Sequence, residues 1–340
     1  MPTSPAASIC VPVYNGEAYL RPALDSALAQ SREDFELLIV DDCSRDSSPE
    51  IIREYALRDH RIRHHRNERN LGLVGNWNRC VELARGEWIK FLFQDDLLHP
   101  DCLARMTGAT ESQDAIVFCQ RTVLFEEDLA ASGRSFYEEH SPLLARTFAM
   151  GSHLPAQAIT AWTLSNRFLN VLGEPTAMMF KRSVHTDHGP FNPALSILCD
   201  IEFALRVGSK HGVRLVPAPL AYFRAHGGST SGALFDTAQF RHKYLDTIVW
   251  LHEMCFAPAY EQLRSIVARE LPKLNLRREL LARIQLAHEY IATTAGHSAE
   301  LAAGMQTGLD DLLQQLPRAR PNRLDLAAWR LRKAYWALAR

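Results

Sequence analysis

Two pairs of adjacent aspartates are the residues in this sequence most suited to chemistry. Asp41 and Asp42 follow the mostly apolar run FELLIV, and Asp95 and Asp96 follow WIKFLFQ. Adjacent carboxylates supply the hard oxygen ligands that Mg²⁺ and Mn²⁺ prefer, and these ions commonly bridge protein carboxylates to phosphate oxygens. Asp95 and Asp96 therefore predict a divalent metal site, whereas Asp41 and Asp42 could bind a nucleobase or a ribose. Taken alone, each pair could also be a polar turn that caps the next helix.

Asp200 and Glu202 open a predicted helix in the run CDIEFALRV. A carboxylate at a helix N-terminus is held ionised by the local dipole, and near an acceptor it could take a hydroxyl proton as a general base. The alternative is an ordinary acidic first turn in which Glu202 pairs with Arg206.

His226 lies in the Gly- and Ser-rich run YFRAHGGSTS. An imidazole there could reach a phosphate or the metal, although a lone loop histidine is more often merely exposed.

Alternating strand and helix patterns position these side chains. Parallel strands end at one edge of a sheet, and open α/β sheets bind ligands outside that edge, so the two acid pairs can converge on one cleft. The sequence predicts an α/β fold with a mostly parallel, Rossmann-like sheet flanked by helices. Buried strands are predicted over residues 8–13, 35–40, 88–93 and 115–119.

The bulk composition excludes several classes of protein. The 340 residues carry 38 basic and 39 acidic side chains, for a formal net charge of −1, so we expect no nucleic-acid partner. No run approaches the roughly 18 apolar residues of a membrane span, and no signal-peptide pattern is present at the N-terminus. We expect a cytoplasmic protein.

The sequence resembles family 2 glycosyltransferases in five successive motifs, which are SICVPVYNGEAYL, FELLIVDDCSRDSS, NLGLVGNWNRCVELARGEWIKFLFQDD, CDIEFALRV and YFRAHGGSTS. The resemblance covers about residues 7–231. It implies the glycosyltransferase-A (GT-A) fold and a nucleotide-sugar donor. It also implies Mn²⁺ or Mg²⁺ as cofactor, a carbohydrate or lipid-linked acceptor and, in most members, inversion at the anomeric carbon.

The resemblance also suggests a role for each candidate residue. Asp200 matches the catalytic base, with Glu202 next in line. Asp96 would coordinate the metal, and His226 would help to hold the metal or the diphosphate. The nucleotide-binding residues would be Pro12, Tyr14, Asp41, Asp42, Asn78 and Asp95.

Two positions depart from the family pattern. Gln94 stands where the metal motif often begins with another acid, and we expect activity to survive because that position is not always a ligand. Cys199 stands where a Glu usually precedes the catalytic Asp, and a thiol cannot supply the charge of that Glu. The local electrostatics of Asp200 are therefore expected to differ from those of the family.

Other classes fit the motifs less well. A nucleotidyltransferase would normally carry a Gly-rich, basic phosphate loop after the first strand, and YNGE is neither. A dinucleotide oxidoreductase would carry GxGxxG there. A receiver domain would place its acid pair after the first strand instead of the second. A non-catalytic nucleotide- or sugar-binding module stays open, because the altered motifs could mark lost activity.

The pattern changes near residue 234. We predict a catalytic domain over residues 1–233, with a variable insertion over 124–170, and a helical region over 234–340. Its last segment, 324–338, is basic and amphipathic with Trp329 and Trp336. That segment could contact the inner face of a membrane peripherally, or pack on the catalytic domain or a second subunit of a homo-oligomer.

Overall fold

The computed structural model describes residues 4–141, 143–229 and 240–319. The chain divides into two compact units, Met1–Thr237 and Ala238–Arg340. The predicted domain boundary at residue 233 lies close to the end of the first unit.

A nine-stranded sheet forms the centre of the first unit. Every residue of the first two strands is buried, as expected for apolar strands that helices cover on both faces. The strands are β1 (Ala7–Val13), β2 (Phe35–Asp41), β3 (Ile62–Arg66), β4 (Trp88–Phe91), β5 (Leu97–Leu98), β6 (Ile116–Phe125), β7 (His153–Leu154), β8 (Met178–Lys181) and β9 (Val213–Ala225).

The sheet order is β3-β2-β1-β4-β8-β6-β9-β5, and β7 also pairs with β9. Strands β3, β2, β1 and β4 are parallel to one another. Strand β8 enters antiparallel between β4 and β6, and β9 is parallel to β6. The longest strands therefore share one direction, which places the ends of β1, β2 and β4 at one edge.

Amphipathic helices cover the sheet of the first unit. In the first helix, Leu20, Ala23, Leu24 and Ala27 are buried at the i, i+3, i+4, i+7 spacing of a core-facing stripe. The helices are α1 (Leu20–Leu28), α2 (Ser48–Arg58), α3 (Gly72–Leu83), α4 (Cys102–Gly108), α5 (Ala131–His140), α6 (Leu143–Thr147), α7 (Ala156–Ser165), α8 (Ser183–Asp187) and α9 (Cys199–His211).

The described part of the second unit is helical. A π-helical stretch over Arg241–Asp246 leads into α10 (Thr247–Phe256), followed by α11 (Glu261–Glu270), α12 (Leu276–Ala295) and α13 (Ala299–Gln315). Short 3₁₀ turns cover Pro258–Tyr260 and Pro317–Ala319 here, and Pro175–Ala177 in the first unit.

The predicted fold class is confirmed, including the helical C-terminal region. Strand β4 ends at Phe91 instead of residue 93, whereas β6 continues to Phe125, beyond the predicted end at 119. None of the described helices has a stretch long and apolar enough to cross a bilayer. The amphipathic segment 324–338 lies outside the described residues, so membrane contact, oligomerisation and cytoplasmic location stay predictions.

Candidate active site

Hydrogen bonds tie together the turns that follow β1 and β2. The backbone N–H of Asn15 donates to Ser44 Oγ over 2.9 Å, and that of Gly16 donates to Ser48 Oγ over 2.9 Å. The N–H of Asp42 donates to the Val13 carbonyl over 2.8 Å. The sequence motifs at the two strand ends therefore form one continuous surface.

Gln94 attaches the turn after β4 to the same surface. Its Oε1 accepts from the Tyr14 N–H over 2.8 Å, and its Nε2 donates to the Tyr14 carbonyl over 3.2 Å. A Cβ at Gly16 would lie 2.5 Å from Gln94 Oε1, which explains the glycine there. Gln94 is thus a clamp on the Tyr14 backbone, and the Tyr14 side chain is left 46% exposed.

We expect Gln94→Glu to weaken this clamp. A carboxylate keeps the acceptor for the Tyr14 N–H but loses the donor to the carbonyl, and it places a negative charge beside that carbonyl. The free energy of unfolding should fall by about 1 kcal/mol, measured by urea denaturation. Gln157→Glu, at an exposed position on α7, is the control. Equal stability of the two variants would contradict the clamp.

The carboxylate of Asp42 faces the chain's own groups. It is 2% exposed and accepts hydrogen bonds from Asn67 Nδ2 (2.7 Å), the Leu71 N–H (2.8 Å) and the Gly72 N–H (2.9 Å). These bonds fix the start of α3 beside the end of β2. Contact between Asp42 and a nucleotide stays a prediction.

Asp41 is also buried at this strand end. Its Oδ1 accepts from the Ser44 N–H over 3.0 Å, and its Oδ2 lies 3.3 Å from Arg66 Nε. Its predicted contact with a nucleotide is likewise untested. Pro12 is buried within β1. Of Pro12, Tyr14, Asp41 and Asp42, only Tyr14 is exposed.

Asp96 is fully buried and hydrogen-bonded within the fold. Thr176 Oγ1 donates to its Oδ2, and the Arg224 N–H donates to its Oδ1 over 2.9 Å. Burial, together with the neighbouring charge of Asp95, holds the pKa of Asp96 well above its usual range. Each Asp96 oxygen thus accepts one hydrogen bond from within the fold.

Asp95, in contrast, is partly exposed and lies beside His226. His226 Nε2 is 3.1 Å from Asp95 Oδ2. The Tyr19 and His226 rings are 4.9 Å apart, and the Arg224 guanidinium lies 5.0 Å from the Tyr19 ring and donates to the Asp95 carbonyl over 2.9 Å. Asp95 therefore contacts His226 and Asp96 does not, and coordination of a metal by Asp96 stays a prediction.

The Asp95–His226 pair suits a divalent cation in its chemistry. A carboxylate and an imidazole are ligands that Mn²⁺ accepts, and Mg²⁺ binds through one or two carboxylates plus phosphate oxygens and waters. Within residues 4–141, 143–229 and 240–319, no group of three or more His, Cys, Asp or Glu side chains could hold a metal. Among the described residues, a cation at this pair would thus find one carboxylate and one imidazole, and a phosphate or water could supply further ligands.

Asp200 lies at the start of α9, as the sequence predicts. Its Oδ1 accepts from the Ile201 N–H over 2.7 Å, and its Oδ2 accepts from Asn170 Nδ2 over 3.0 Å. Burial, with a smaller contribution from the charge of Glu174, raises the pKa of Asp200 to about 7. A carboxyl group with such a pKa can exchange a proton near neutral pH.

One short segment, residues 170–176, connects Asp200 to the metal motif. Asn170 binds Asp200 at one end of the segment, and Thr176 binds Asp96 at the other. Between them, Glu174 raises the pKa of both carboxyl groups through its charge. Asp96, Glu174 and Asp200 are thus neighbours in the fold, although they are distant in sequence.

Two predicted site residues have structural roles. Glu202 is 1% exposed and pairs with Arg206 over 2.6 Å, as in the i,i+4 alternative, and its role as a second catalytic acid stays a prediction that this burial disfavours. Asn78 accepts from the Phe191 N–H and donates to the Phe191 carbonyl, each over 2.9 Å. These bonds fix the Asn78 side chain on the Phe191 backbone, and its contact with a nucleotide stays a prediction.

Sequence reasoning missed the residues that hold the site together. Arg121 lies just after the predicted strand 115–119, Glu174 and Thr176 follow the predicted insertion at 124–170, and Tyr19 precedes α1 as an ordinary aromatic residue. The run GEPT at residues 173–176 was the available signal, because an acid and a hydroxyl flank a proline just before a strand.

The fold and the acidic edge of its sheet define a glycosyltransferase of the GT-A class. Residues 8–173 match the family described as Glycosyl transferase family 2. The chain belongs to this family.

Relatives and solved structures agree with this assignment. An uncharacterized protein of Mycobacterium tuberculosis (strain CDC 1551 / Oshkosh), MT1568, is 33% identical over 230 residues, which are 67% of this chain and 70% of that protein. The putative glycosyltransferase EpsH of Bacillus subtilis (strain 168) is 38% identical over 125 residues, which span 36% of each protein. The matched part is thus well under two thirds of the length of EpsH.

Two solved structures share the fold at 16% identity. TarS 1–349 of S. aureus in complex with UDP-GlcNAc has a TM-score of 0.57, covering 92% of this chain and 90% of that one. The mannosyltransferase PcManGT of Pyrobaculum calidifontis in complex with GDP-Man and Mn²⁺ has a TM-score of 0.56, covering 98% and 85%.

Proposed function

We propose that this glycosyltransferase moves a hexose from a nucleoside-diphosphate sugar to an acceptor hydroxyl by a metal-assisted, inverting displacement. The observation that carries the proposal is the connection between Asp200 and the Asp95–Asp96 motif through residues 170–176. This connection supports a site in which a proton acceptor and a cation lie close together.

Asp95 and His226 would hold the cation. When bound, Mn²⁺ or Mg²⁺ supplies positive charge that neutralises the departing diphosphate. Arg224 lies beside this pair, but Glu126 Oε1 accepts from its guanidinium. The protein itself therefore offers little free positive charge for a diphosphate here, which supports a requirement for the metal.

Asp200 would act as the base. The acceptor O–H bond breaks and its proton passes to a carboxylate oxygen of Asp200, while the oxygen forms a bond to the anomeric carbon. The bond from that carbon to the diphosphate oxygen breaks with its electron pair. Bonds from Asn170 and the Ile201 N–H orient the Asp200 carboxylate, and a single displacement of this kind inverts the anomeric centre.

The turns after β1 and β2 would bind the nucleoside. Tyr14 presents an exposed ring beside the Asp41–Asp42 turn, and Gln94 fixes its backbone. An exposed aromatic face suits a nucleobase. Because the structural neighbours hold UDP-GlcNAc and GDP-Man, UDP-sugars and GDP-mannose are the donors to test first.

Release of nucleoside diphosphate tests the proposal. The protein is incubated with UDP-glucose, UDP-galactose, UDP-GlcNAc or GDP-mannose, with Mn²⁺ or with EDTA, and free UDP or GDP is measured. We expect slow hydrolysis of one donor that requires the metal. Binding of a nucleotide sugar without release would instead indicate a non-catalytic binding module.

The raised pKa of Asp200 predicts how activity depends on pH. Below about pH 7 the carboxyl group is protonated and cannot accept a proton, and above it the group is ionised. The value of kcat/KM should therefore rise with pH through about 7 and then level off. A flat profile between about pH 5.5 and 8 would exclude Asp200 as the titrating base.

A further inference from the structure

A cleft of about 340 Å³ opens in the first unit. The second half of β6 forms one wall, and helices α5 and α6 form the other. It is lined by Gln120, Arg121, Thr122, Val123, Phe125, Tyr137, Glu138, Ser141, Leu144 and Ala145.

The walls of the cleft combine aromatic faces with polar groups. Phe125 and Tyr137 supply rings, and Gln120, Thr122 and Glu138 supply amide, hydroxyl and carboxylate groups. A pyranose ring has apolar C–H faces and a rim of hydroxyl groups, so it matches this mixture. The volume is at the lower end of the roughly 300–1,000 Å³ typical of small-molecule sites, which suits one or two sugar rings.

The aromatic wall is fixed by packing. Tyr137 is 4% exposed, and its ring lies 5.2 Å from that of Phe223. Phe125 packs against the same buried cluster, and the Arg134 guanidinium lies 4.6 Å from its ring. A ligand would therefore meet preformed surfaces and lose little affinity to reorganisation.

Arg121 connects the cleft to Asp200. The pairing register of β6 with β9 shifts around Gln120 and Arg121, and such bulges re-aim side chains. Arg121 lines the cleft and lies 2.5 Å from Glu174, in the segment that holds Asp200. A Cβ at Gly173, which has φ +100°, would lie 2.6 Å from Arg121 Nη1, so the segment packs directly on Arg121.

We infer that this cleft is the acceptor subsite and that it binds a hexopyranose ring. The inference rests on the proposed function, since it takes Asp200 as the base that meets the acceptor hydroxyl. It places acceptor recognition on β6 and α5, which include part of the predicted insertion at 124–170.

Neighbouring positions on α5 provide a matched test. Glu138 lines the cleft and Glu139 does not, yet both are exposed. Successive helix residues point about 100° apart, so Glu138→Trp should fill the cleft and Glu139→Trp should point away from it. Thr122→Trp, at an exposed cleft position on β6, is a second variant that is independent of α5.

Binding is measured by saturation-transfer NMR with methyl glucopyranoside, galactopyranoside and mannopyranoside. We expect transfer to at least one glycoside in the wild type and in Glu139→Trp, and at least a ten-fold weaker signal in Glu138→Trp and Thr122→Trp. Equal signals in all four proteins, or no binding to the wild type, would overturn the inference. Circular dichroism confirms that each variant is folded.

Donor hydrolysis separates this inference from the proposed function. Glu139→Trp, which lies outside the cleft, should release nucleoside diphosphate to water at the wild-type rate, and the wild type is assayed beside it. If the cleft variants lose glycoside binding but the wild type hydrolyses no donor, the cleft is a sugar site and the proposed transferase activity is refuted. If the wild type hydrolyses a donor but both cleft variants bind the glycosides normally, the proposed function stands and the acceptor subsite is refuted.

Discussion

Replacement of Asp200 by Asn is expected to lower kcat about 100- to 10,000-fold, because an amide cannot accept the proton of the acceptor hydroxyl. The affinity for the donor should change little. Asn170 and the Ile201 N–H contact the Asp200 carboxylate from within the fold, and neither belongs to the nucleoside pocket. Turnover is measured with a saturating donor, and donor affinity by calorimetry.

Asp187→Asn, at the exposed end of α8, is the matched control and should leave turnover unchanged. Donor hydrolysis in Asp200→Asn should fall as well, because water is then the acceptor. Wild-type turnover in Asp200→Asn would show that Asp200 is not the base. Glu202 would not replace it, because it is buried against Arg206.

The adjacent acids Asp95 and Asp96 should respond differently to the same substitution. Asp95→Asn removes the carboxylate that faces His226, so we expect activity at limiting Mn²⁺ to fall at least about 100-fold. Asp96→Asn should retain the response to Mn²⁺, because Asp96 is buried and holds Thr176 and the Arg224 N–H. Its amide replaces one acceptor with a donor, so its unfolding free energy should fall by about 1–3 kcal/mol.

The two quantities are measured by Mn²⁺ titration of donor hydrolysis and by urea denaturation. Glu127→Gln, on an exposed residue after β6, controls for the loss of one negative charge near the site. If Asp96→Asn shows the larger loss of Mn²⁺ affinity and Asp95→Asn the smaller, then Asp96 and not Asp95 binds the metal.

The strands that carry the site were predictable because their apolar runs are long and end in charged residues. FELLIV and WIKFLF are mostly apolar, so two buried strands followed from the sequence; Asp41 and Asp42 lie at the end of β2, whereas Asp95 and Asp96 lie in the turn after β4. Convergence of the two pairs then followed from the parallel direction of β2 and β4. The start of α9 at Asp200 was similarly marked by its acidic first turn.

The direction in which each side chain points was not predictable. Asp95 and Asp96 lie in the turn after β4, and which of them contacts His226 depends on distant partners such as Thr176. The contact of Asn78 with the Phe191 backbone is similarly distant, whereas the Glu202–Arg206 pair is local and followed from the i,i+4 spacing. The local sequence shows which side chain is present, but it does not show which distant residue that side chain contacts.

Residues 120–176 were the least predictable part of the first unit. Strand β6 continues past residue 119 with half-buried residues because β9 pairs with it over its whole length. That pairing spans about a hundred residues of sequence, and no local pattern encodes it. The cleft and the segment that holds Asp200 both depend on it.

A crystal structure with UDP or GDP and Mn²⁺ tests the central claim most directly. Anomalous scattering should place the Mn²⁺ between Asp95 Oδ2 and His226 Nε2, with the diphosphate on it and the nucleobase near Tyr14. The end of the diphosphate that carries the sugar in the donor should face Asp200. A metal bound to Asp96, or a nucleotide bound away from Asp200, would contradict the account.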